Sequence, residues 1–254
     1  AAWAVFALSN SGQTAEVIRL FKKLQAEGHG RRYSLSAKPN STLEQMATQG
    51  FVLSCGKEDA VAATKSVVEQ ALFYRAVLEH AVGRPALAGR LSDLALKIEA
   101  ALTATIDPKL IERIASAGTI YWAGRNDGVS EELTLKTNEI TRKKSDFLEG
   151  TYAVHGIEEV LDRNDVVLWV EPYEESEDKF RETLSGEKGV GLDIIAIASR
   201  ETSFPTIQIP SAGDLDEFVQ MAAGWSILAE VGLSLGINLD KPERARKVGN
   251  EFVE

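Results

Sequence analysis

Cysteine is nearly absent. Cys55 is the only one in 254 residues, so an intrachain disulfide and a CxxC metal or redox site are both excluded. Histidine is scarce as well. His29, His80 and His155 lie far apart, with no HxxxH or HxH spacing, which argues against a metal site of the zinc type. No apolar run reaches the roughly 18–20 residues that a membrane span requires. The longest candidate, Met221 to Leu235, is interrupted by Gly224, Ser226, Glu230, Gly232 and Ser234, so no membrane partner is expected. Basic charge is in deficit, with 28 Lys and Arg against 38 Asp and Glu and a net charge of −10. That balance speaks against a nucleic-acid partner. Neither GxxxxGK(S/T) nor GxGxxG occurs, so there is no Walker loop and no dinucleotide fingerprint. The opening stretch Ala1–Leu8 has no basic n-region, and a reducing cytoplasm is the expected compartment.

What remains is ordinary for a globular chain: 44% hydrophobic and 26% charged residues. The length allows one large domain or two small ones. The run from Ala1 to Leu8 contains Val5 and two aromatics without a polar lead-in, which predicts a strand buried on both faces. Such a strand needs neighbours on both sides, so a preceding segment is expected before Ala1. Helical spacing follows in Gly12–Glu27, then a short strand at Tyr33–Ser36. Ser41 and Glu44 form a capping-box pattern, and Phe51–Ser54 reads as a strand. Helices are predicted over about 60–81, 87–102 and 108–117, the last with Asp107 as cap and Pro108 at its first position.

The pattern then restarts. A strand at Thr119–Ala123, a polar loop and a helix to about Lys143 are followed by strands at 165–170, 192–198 and 206–209. Helices are predicted at 174–186 and 214–236. Alternating strands and helices predict an α/β chain with parallel sheets. Two similar lobes are the preferred reading: 1–82 and 118–236, joined by a helical connector at 83–117 and followed by a basic tail at 237–254. A single doubly wound domain is the alternative.

Three groups of residues could carry chemistry. The first strand runs into Ser9-Asn10-Ser11-Gly12-Gln13-Thr14, which sets three hydroxyls and a glycine at a helix start. Unpaired N–H groups and about half a positive charge collect there, so a phosphate can be held without Lys or Arg. Simple N-capping explains one hydroxyl well and three poorly. Second, Lys136 and Glu139 are three apart on one predicted helix and share a face, whereas surface ion pairing is the usual fate of such residues. Third, His155 precedes Gly156, and a lone histidine is more often structural than catalytic.

These motifs, in order, resemble the sugar isomerase (SIS) family. Ser9-Asn10-Ser11-Gly12-Gln13-Thr14-Ala15-Glu16 is similar to its SxSGxTxE phosphate loop. Gly56-Lys57-Glu58-Asp59-Ala60-Val61-Ala62-Ala63-Thr64-Lys65 resembles the GxExxVAxTK segment of the isomerase domains of glucosamine-6-phosphate synthases and of SIS-type glucosamine-6-phosphate deaminases. Ala63 stands where the synthases carry a substrate-contacting serine. Glu139 and His155 are 16 residues apart, the family spacing, and Lys136 matches the family's helix lysine. The loop after Gly124-Arg125 is two residues shorter than in the synthases, and Ile157 replaces the usual proline. In the tail, Asp240-Lys241-Pro242 leads to Lys247 at the place of a C-terminal active-site lysine.

The resemblance implies two SIS lobes, the first lacking its opening strand and loop. It implies a phosphorylated sugar or sugar–amine substrate bound by Ser9, Asn10, Ser11, Gly12, Thr14, Val61, Ala62 and Ala63. It implies catalysis by Glu139, His155, Lys136 and Lys247, with no metal and no organic cofactor. A homodimer follows too, because in relatives the histidine comes from the neighbouring subunit. Three activities fit: an amino-sugar-phosphate isomerase–deaminase, a deglycase of a fructosyl-amino acid conjugate, and a non-catalytic phosphosugar-binding module. Regulatory modules commonly lack the Glu/His pair, so its presence favours an enzyme.

Overall fold

In a computed structural model, residues 3–84, 86–245 and 251–252 are described. The chain forms two compact units, one of residues up to Ala88 together with the tail from Asp240, the other of Gly89–Leu239. Both are α/β units with parallel sheets flanked by helices.

In the first unit, strands β1 (Val5–Leu8), β2 (Arg32–Ser36) and β3 (Gln49–Val52) form a parallel sheet in the order β1-β2-β3. Helices α1 (Ala15–Ala26), α2 (Thr42–Met46) and α3 (Lys65–Ala81) connect or follow them. Alternation along β1 serves two faces. Ala7 joins Ile18, Phe21 and Leu43 in one core, while Phe6 stacks on Tyr33 at 4.7 Å and meets Tyr74 of α3 edge-on. Among the described residues β1 pairs with β2 alone, so it is an edge strand and Trp3 is exposed. The expected cap at Ser41 forms, its Oγ accepting from the Glu44 amide at 3.3 Å. The Glu44 carboxylate reaches back to the Asn40 amide rather than to Ser41. Helix α3 begins at Lys65, five residues later than the sequence suggests. Glu58 explains the boundary: its carboxylate accepts from the Thr64 and Ser66 amides and from the Ser66 hydroxyl, and so caps the helix from outside.

The second unit contains α4 (Leu91–Leu102), α5 (Pro108–Ser116), β4 (Thr119–Gly124), α6 (Val129–Lys136), β5 (Lys144–Glu149), β6 (Val166–Val170), α7 (Glu177–Phe180), β7 (Asp193–Ala198), β8 (Thr206–Gln208) and α8 (Asp216–Ser234). Its sheet is parallel throughout, in the order β5-β4-β6-β7-β8. Helix α8 is buried along most of its length, with α4, α5 and α6 packed on it. The expected connector at 83–117 is therefore not a separate element: α4 and α5 belong to the second unit's helical layer. Gly224 makes the α6–α8 approach possible, since a Cβ there would run into Leu133.

Two further expectations are corrected. The helix predicted to reach Lys143 ends at Arg142, which adopts a left-handed conformation, and Lys144–Glu149 is a strand. Edge position hides β5 from pattern reading, because Leu148 is its only buried residue. The segment 174–186 is a short 3₁₀ turn, the single α turn α7 and a π turn rather than one helix.

Candidate functional site

In the first unit the loops after β1 and after β3 leave the same, carboxyl edge of the parallel sheet, the edge at which open α/β sheets bind ligands. The β1 loop turns at Gly12, whose φ is +63° and whose amide closes onto the Ser9 carbonyl at 2.9 Å. A side chain at Gly12 is excluded twice: φ is left-handed, and a Cβ would collide with Ser41. The Gly12 carbonyl accepts from the Leu43 amide, and Thr42 Oγ1 donates to Gln13 Oε1, so the loop is held against the start of α2. The hydroxyls converge. Ser9 Oγ and Thr14 Oγ1 are 2.7 Å apart, and Ser11 Oγ accepts from the Gln13 amide at 3.1 Å. Helix α1 has no side-chain cap at Thr14. Its first-turn amides are therefore left to other partners, as an anion-binding helix start requires. Asn10 Oδ1 is shielded from solvent without a hydrogen-bond partner in the structure. Five of the expected binding residues, Ser9, Asn10, Ser11, Gly12 and Thr14, thus share one turn. Val61, Ala62 and Ala63 lie in the non-helical segment between β3 and α3, on the same unit.

Lys247 lies outside the described residues. The nearby Glu251 and Phe252 are described, and they lie against the Ser9–Thr14 loop. Glu251 bridges Thr14, the Phe252 amide donates to the Gln13 carbonyl at 2.8 Å, and the Phe252 ring packs with the Ile18–Phe21 core under Lys22 Nζ.

In the second unit Lys136 and Glu139 do meet, and they are not a surface pair. Lys136 is 3% exposed, and its Nζ lies 3.0 Å from Glu139 Oε2. Glu132, which pattern reading passes over, lies 3.2 Å from the same ammonium. Burial pushes the Glu132 carboxyl above its ordinary value. Lys136 opposes that shift, and Glu139 adds to it. Glu139 stands in a π turn, Thr137–Thr141, that continues α6. Side-chain chemistry accounts for this local loosening. Thr134, Thr137 and Thr141 each donate to the carbonyl four residues back, Asn138 does the same, and Trp122 Nε1 donates to Thr137 Oγ1 at 2.7 Å. Such back-bonding competes with the helical ladder and bends it. Single π turns inside helices are frequent at functional sites.

His155 lies in the turn after β5 and is exposed. Its Nε2 is 3.1 Å from Thr151 Oγ1, a contact to neither Glu139 nor Lys136. Gly156, at φ +102°, follows it. Pattern reading also misses Glu149, at the end of β5, whose carboxylate accepts from the Asn126 amide. Burial raises the Glu149 carboxyl; the Asn126 bond opposes this, while Asp127 and Glu131 reinforce it. Its signal in the sequence is weak, one acid among many; Glu132 has a better one, an i, i+4 spacing to Lys136. Among the described residues no cluster of His, Cys, Asp and Glu suits a metal ion, and no helix is long and apolar enough to cross a membrane.

Comparison with known proteins bears on the fold and on the first unit. The SIS domain family matches residues 3–80, the part that carries the hydroxyl loop and the Glu58–Lys65 segment. A glutamine–fructose-6-phosphate aminotransferase (isomerizing) from Lactiplantibacillus plantarum is 24% identical over 94% of this chain and 42% of its own length. The chain thus spans less than half the length of the curated relatives it matches. Among solved structures, the C-terminal domain of glucosamine-fructose-6-phosphate aminotransferase from Francisella tularensis superposes with a TM-score of 0.77 at 20% identity. That match covers 95% of this chain and 76% of the other. A glucosamine-6-phosphate deaminase from Thermotoga maritima reaches 0.75 at 18% identity, over 95% and 73% of the two chains. At these identities the structures share the fold.

Proposed function

We propose, from a chain that carries a SIS domain over residues 3–80, that the protein is an isomerase–deaminase of an amino-sugar phosphate such as glucosamine 6-phosphate. The observation that carries this reading is the pairing of the buried Lys136, at the end of α6, with the half-buried Glu139 on the π turn that follows. A module that only binds a phosphosugar has no use for a lysine ammonium held out of solvent beside a carboxylate, and burying such a charge is costly.

In this proposal the Ser9–Thr14 loop holds the phosphate. His155 transfers a proton to the ring oxygen and takes one from the C1 hydroxyl, which opens the ring. Glu139 removes the proton from C2 and returns it to C1, because one carboxylate can serve two adjacent carbons. The electron pair left on carbon passes to the C1 oxygen, where the Lys136 ammonium, or Lys247, stabilises the charge that develops. The enamine at C2 becomes an imine as C1 is protonated. Water adds to that imine and ammonia leaves, giving the ketose phosphate. A fructosyl-amino acid conjugate carries its amine on C1, so the same groups would run the transfer in reverse: Glu139 takes the proton from C1 and delivers it to C2, water adds to the imine formed at C1, and the amino acid leaves an aldose phosphate. The proposal further takes the active enzyme to be a cytoplasmic homodimer in which two subunits share each active site.

The direct test supplies glucosamine 6-phosphate and fructosyl-amino acid 6-phosphates in parallel and follows released amine, with ketose phosphate as the sugar product of the first and aldose phosphate as that of the second. Turnover of the first alone supports the deaminase; turnover of the second alone makes the protein a deglycase. Stoichiometric phosphosugar binding without turnover of either would leave a binding module. Sharing between subunits has its own test: two inactive variants, Glu139→Gln and His155→Ala, should regain activity when mixed and allowed to exchange subunits.

A further inference from the structure

We infer that Glu149 is a positioning residue for His155: its carboxylate ties the end of β5 to the loop that follows β4, and so fixes the start of the turn that carries the histidine. The inference rests on the reading of His155 as the ring-opening group and adds to it a residue that works through the turn rather than on the sugar.

Glu149 and Gly124 are the last residues paired between β5 and β4. Past them the two segments part, one into residues 125–128 and α6, the other into the turn 150–156. Two bonds hold them together at that point. The Gly150 amide donates to the Gly124 carbonyl at 2.8 Å, a main-chain bond that needs no particular side chain. The Glu149 carboxylate accepts from the Asn126 amide, which needs an acceptor side chain of this length. Asn126 and Gly150 both adopt a left-handed φ, +60° and +58°, and they approach closely: a Cβ on Gly150 would lie 3.0 Å from Asn126 Nδ2. The loop is itself a fixed reference. Arg125 donates to the carbonyls of Glu171 and Pro172 beyond β6, and its guanidinium lies 4.3 Å over the Tyr173 ring. From the entry of the turn to the histidine the path is short and bonded. The Thr151 carbonyl accepts from the Val154 amide and the Tyr152 carbonyl from the His155 amide, both at 3.1 Å. Ala153 is buried in the core with Leu148, Trp169 and Phe180, and His155 Nε2 lies 3.1 Å from Thr151 Oγ1. A displacement at residue 149 therefore reaches the imidazole through a single 3₁₀ turn.

Charge makes the tie conditional. Arg125, next to Asn126 in the chain, is spent on β6, and among the described residues no ion pair offsets the Glu149 charge. Asp127 of the loop and Glu131 of α6 add like charge to it. Lys136, Glu132 and Glu139 engage one another. The Asn126 amide is thus the contact that favours the ionised carboxyl, against burial and two neighbouring acids that raise it above its ordinary value. A bond from an amide to an ionised carboxylate is stronger than one to a neutral acceptor, so protonation of Glu149 weakens it. The turn is held while Glu149 is ionised and loosens as pH falls through the raised value.

The test uses the full chain and two variants. Glu149→Ala removes the tie, and Glu149→Gln keeps an uncharged acceptor of the same length. In the native protein the Asn126 amide proton, followed by NMR, should shift with pH in one step, and Glu149→Gln should abolish that step. Hydrogen-exchange protection of residues 150–156, corrected for intrinsic rates, should fall with the same midpoint in the native protein and be low at every pH in Glu149→Ala. On a phosphosugar, Glu149→Ala should lower kcat by on the order of 10²-fold, as for a misplaced group, with KM within about twofold. Glu149→Gln should restore most of that kcat. An Asn126 amide that does not titrate, unchanged protection of residues 150–156 in Glu149→Ala, or a KM effect without a kcat effect overturns the inference. If Glu149→Ala does not fold, the titrations of native protein and Glu149→Gln still decide it. If the native protein turns over no phosphosugar, the proposed function fails, and the NMR and exchange readouts still decide whether Glu149 holds the His155 turn.

Discussion

Replacing Lys136 by methionine, of similar length and without charge, isolates what the buried cation contributes. At an effective dielectric of about 20, each of its two ion-pair contacts is worth roughly 5 kcal/mol of gross attraction. Desolvation of three charged groups cancels most of that sum. What survives is the penalty of leaving carboxylates buried without a partner, about 3–5 kcal/mol. For a chain of this size that corresponds to a loss of roughly 6–20 °C in melting temperature. The loss should depend on pH, and the sign follows from Glu132. Its carboxyl is already held above the ordinary value by burial, with Lys136 acting against the shift. Removing the lysine raises it further. A group whose folded-state pKa is raised keeps its full stability below the unfolded value and loses it as pH rises through the folded one. Melting curves of native protein and Lys136→Met should therefore lie close together near pH 4 and diverge toward pH 8. The triple variant Glu132→Gln, Lys136→Met, Glu139→Gln should recover most of the loss at pH 8, because it leaves no unpaired charge. A gap of the same size at both pH values, or none at pH 8, refutes the argument.

Other outcomes follow from the same structure. Glu139→Gln removes the proposed base but keeps size and polarity, so amine release should fall by about 10²–10⁴-fold while phosphosugar affinity, measured by calorimetry, stays nearly unchanged. In His155→Ala part of the lost turnover should return with open-chain substrates, because the proposal has the histidine act on the ring oxygen and Glu139 on carbon. Ser11→Ala combined with Thr14→Ala should weaken the phosphorylated sugar far more than its dephospho analogue; equal weakening would mean that the loop does not read phosphate. Phe252→Ala removes an aromatic ring from the Ile18–Phe21 core and unpins the strand-like contact at Thr14 and Gln13. It should speed proteolysis of the tail and lower turnover with little effect on the melting temperature, and an unchanged tail would count against the anchor.

Much of this is legible in the residues because it is local. The alternation of apolar runs and amphipathic stretches predicts an α/β chain, since periodicity of side chains is a property of the segment that carries them. The hydroxyl loop is likewise one uninterrupted stretch, Ser9 to Thr14, at the end of a strand and the start of a helix. Pattern reading goes wrong where a long-range partner sets the boundary. Glu58 caps α3 from outside the helix and moves its start to Lys65. The polar β5 is a strand because β4 pairs with it, and α4 and α5 join the second unit because α8 offers them an apolar surface.

For the proposed catalytic groups the division is sharper. Sequence alone determined that Lys136 and Glu139 share a face, because helical spacing fixes direction around an axis. It could not determine that this face is turned inward, and a charged pair on a helix is far more often solvated. Tertiary packing decided that: α6 lies between the sheet and α8, Gly224 lets Leu133 close the gap, and Lys136 is left 3% exposed with Glu132 as its second partner. Burial is a property of what surrounds a residue, and those surroundings come from strands and helices far away along the chain.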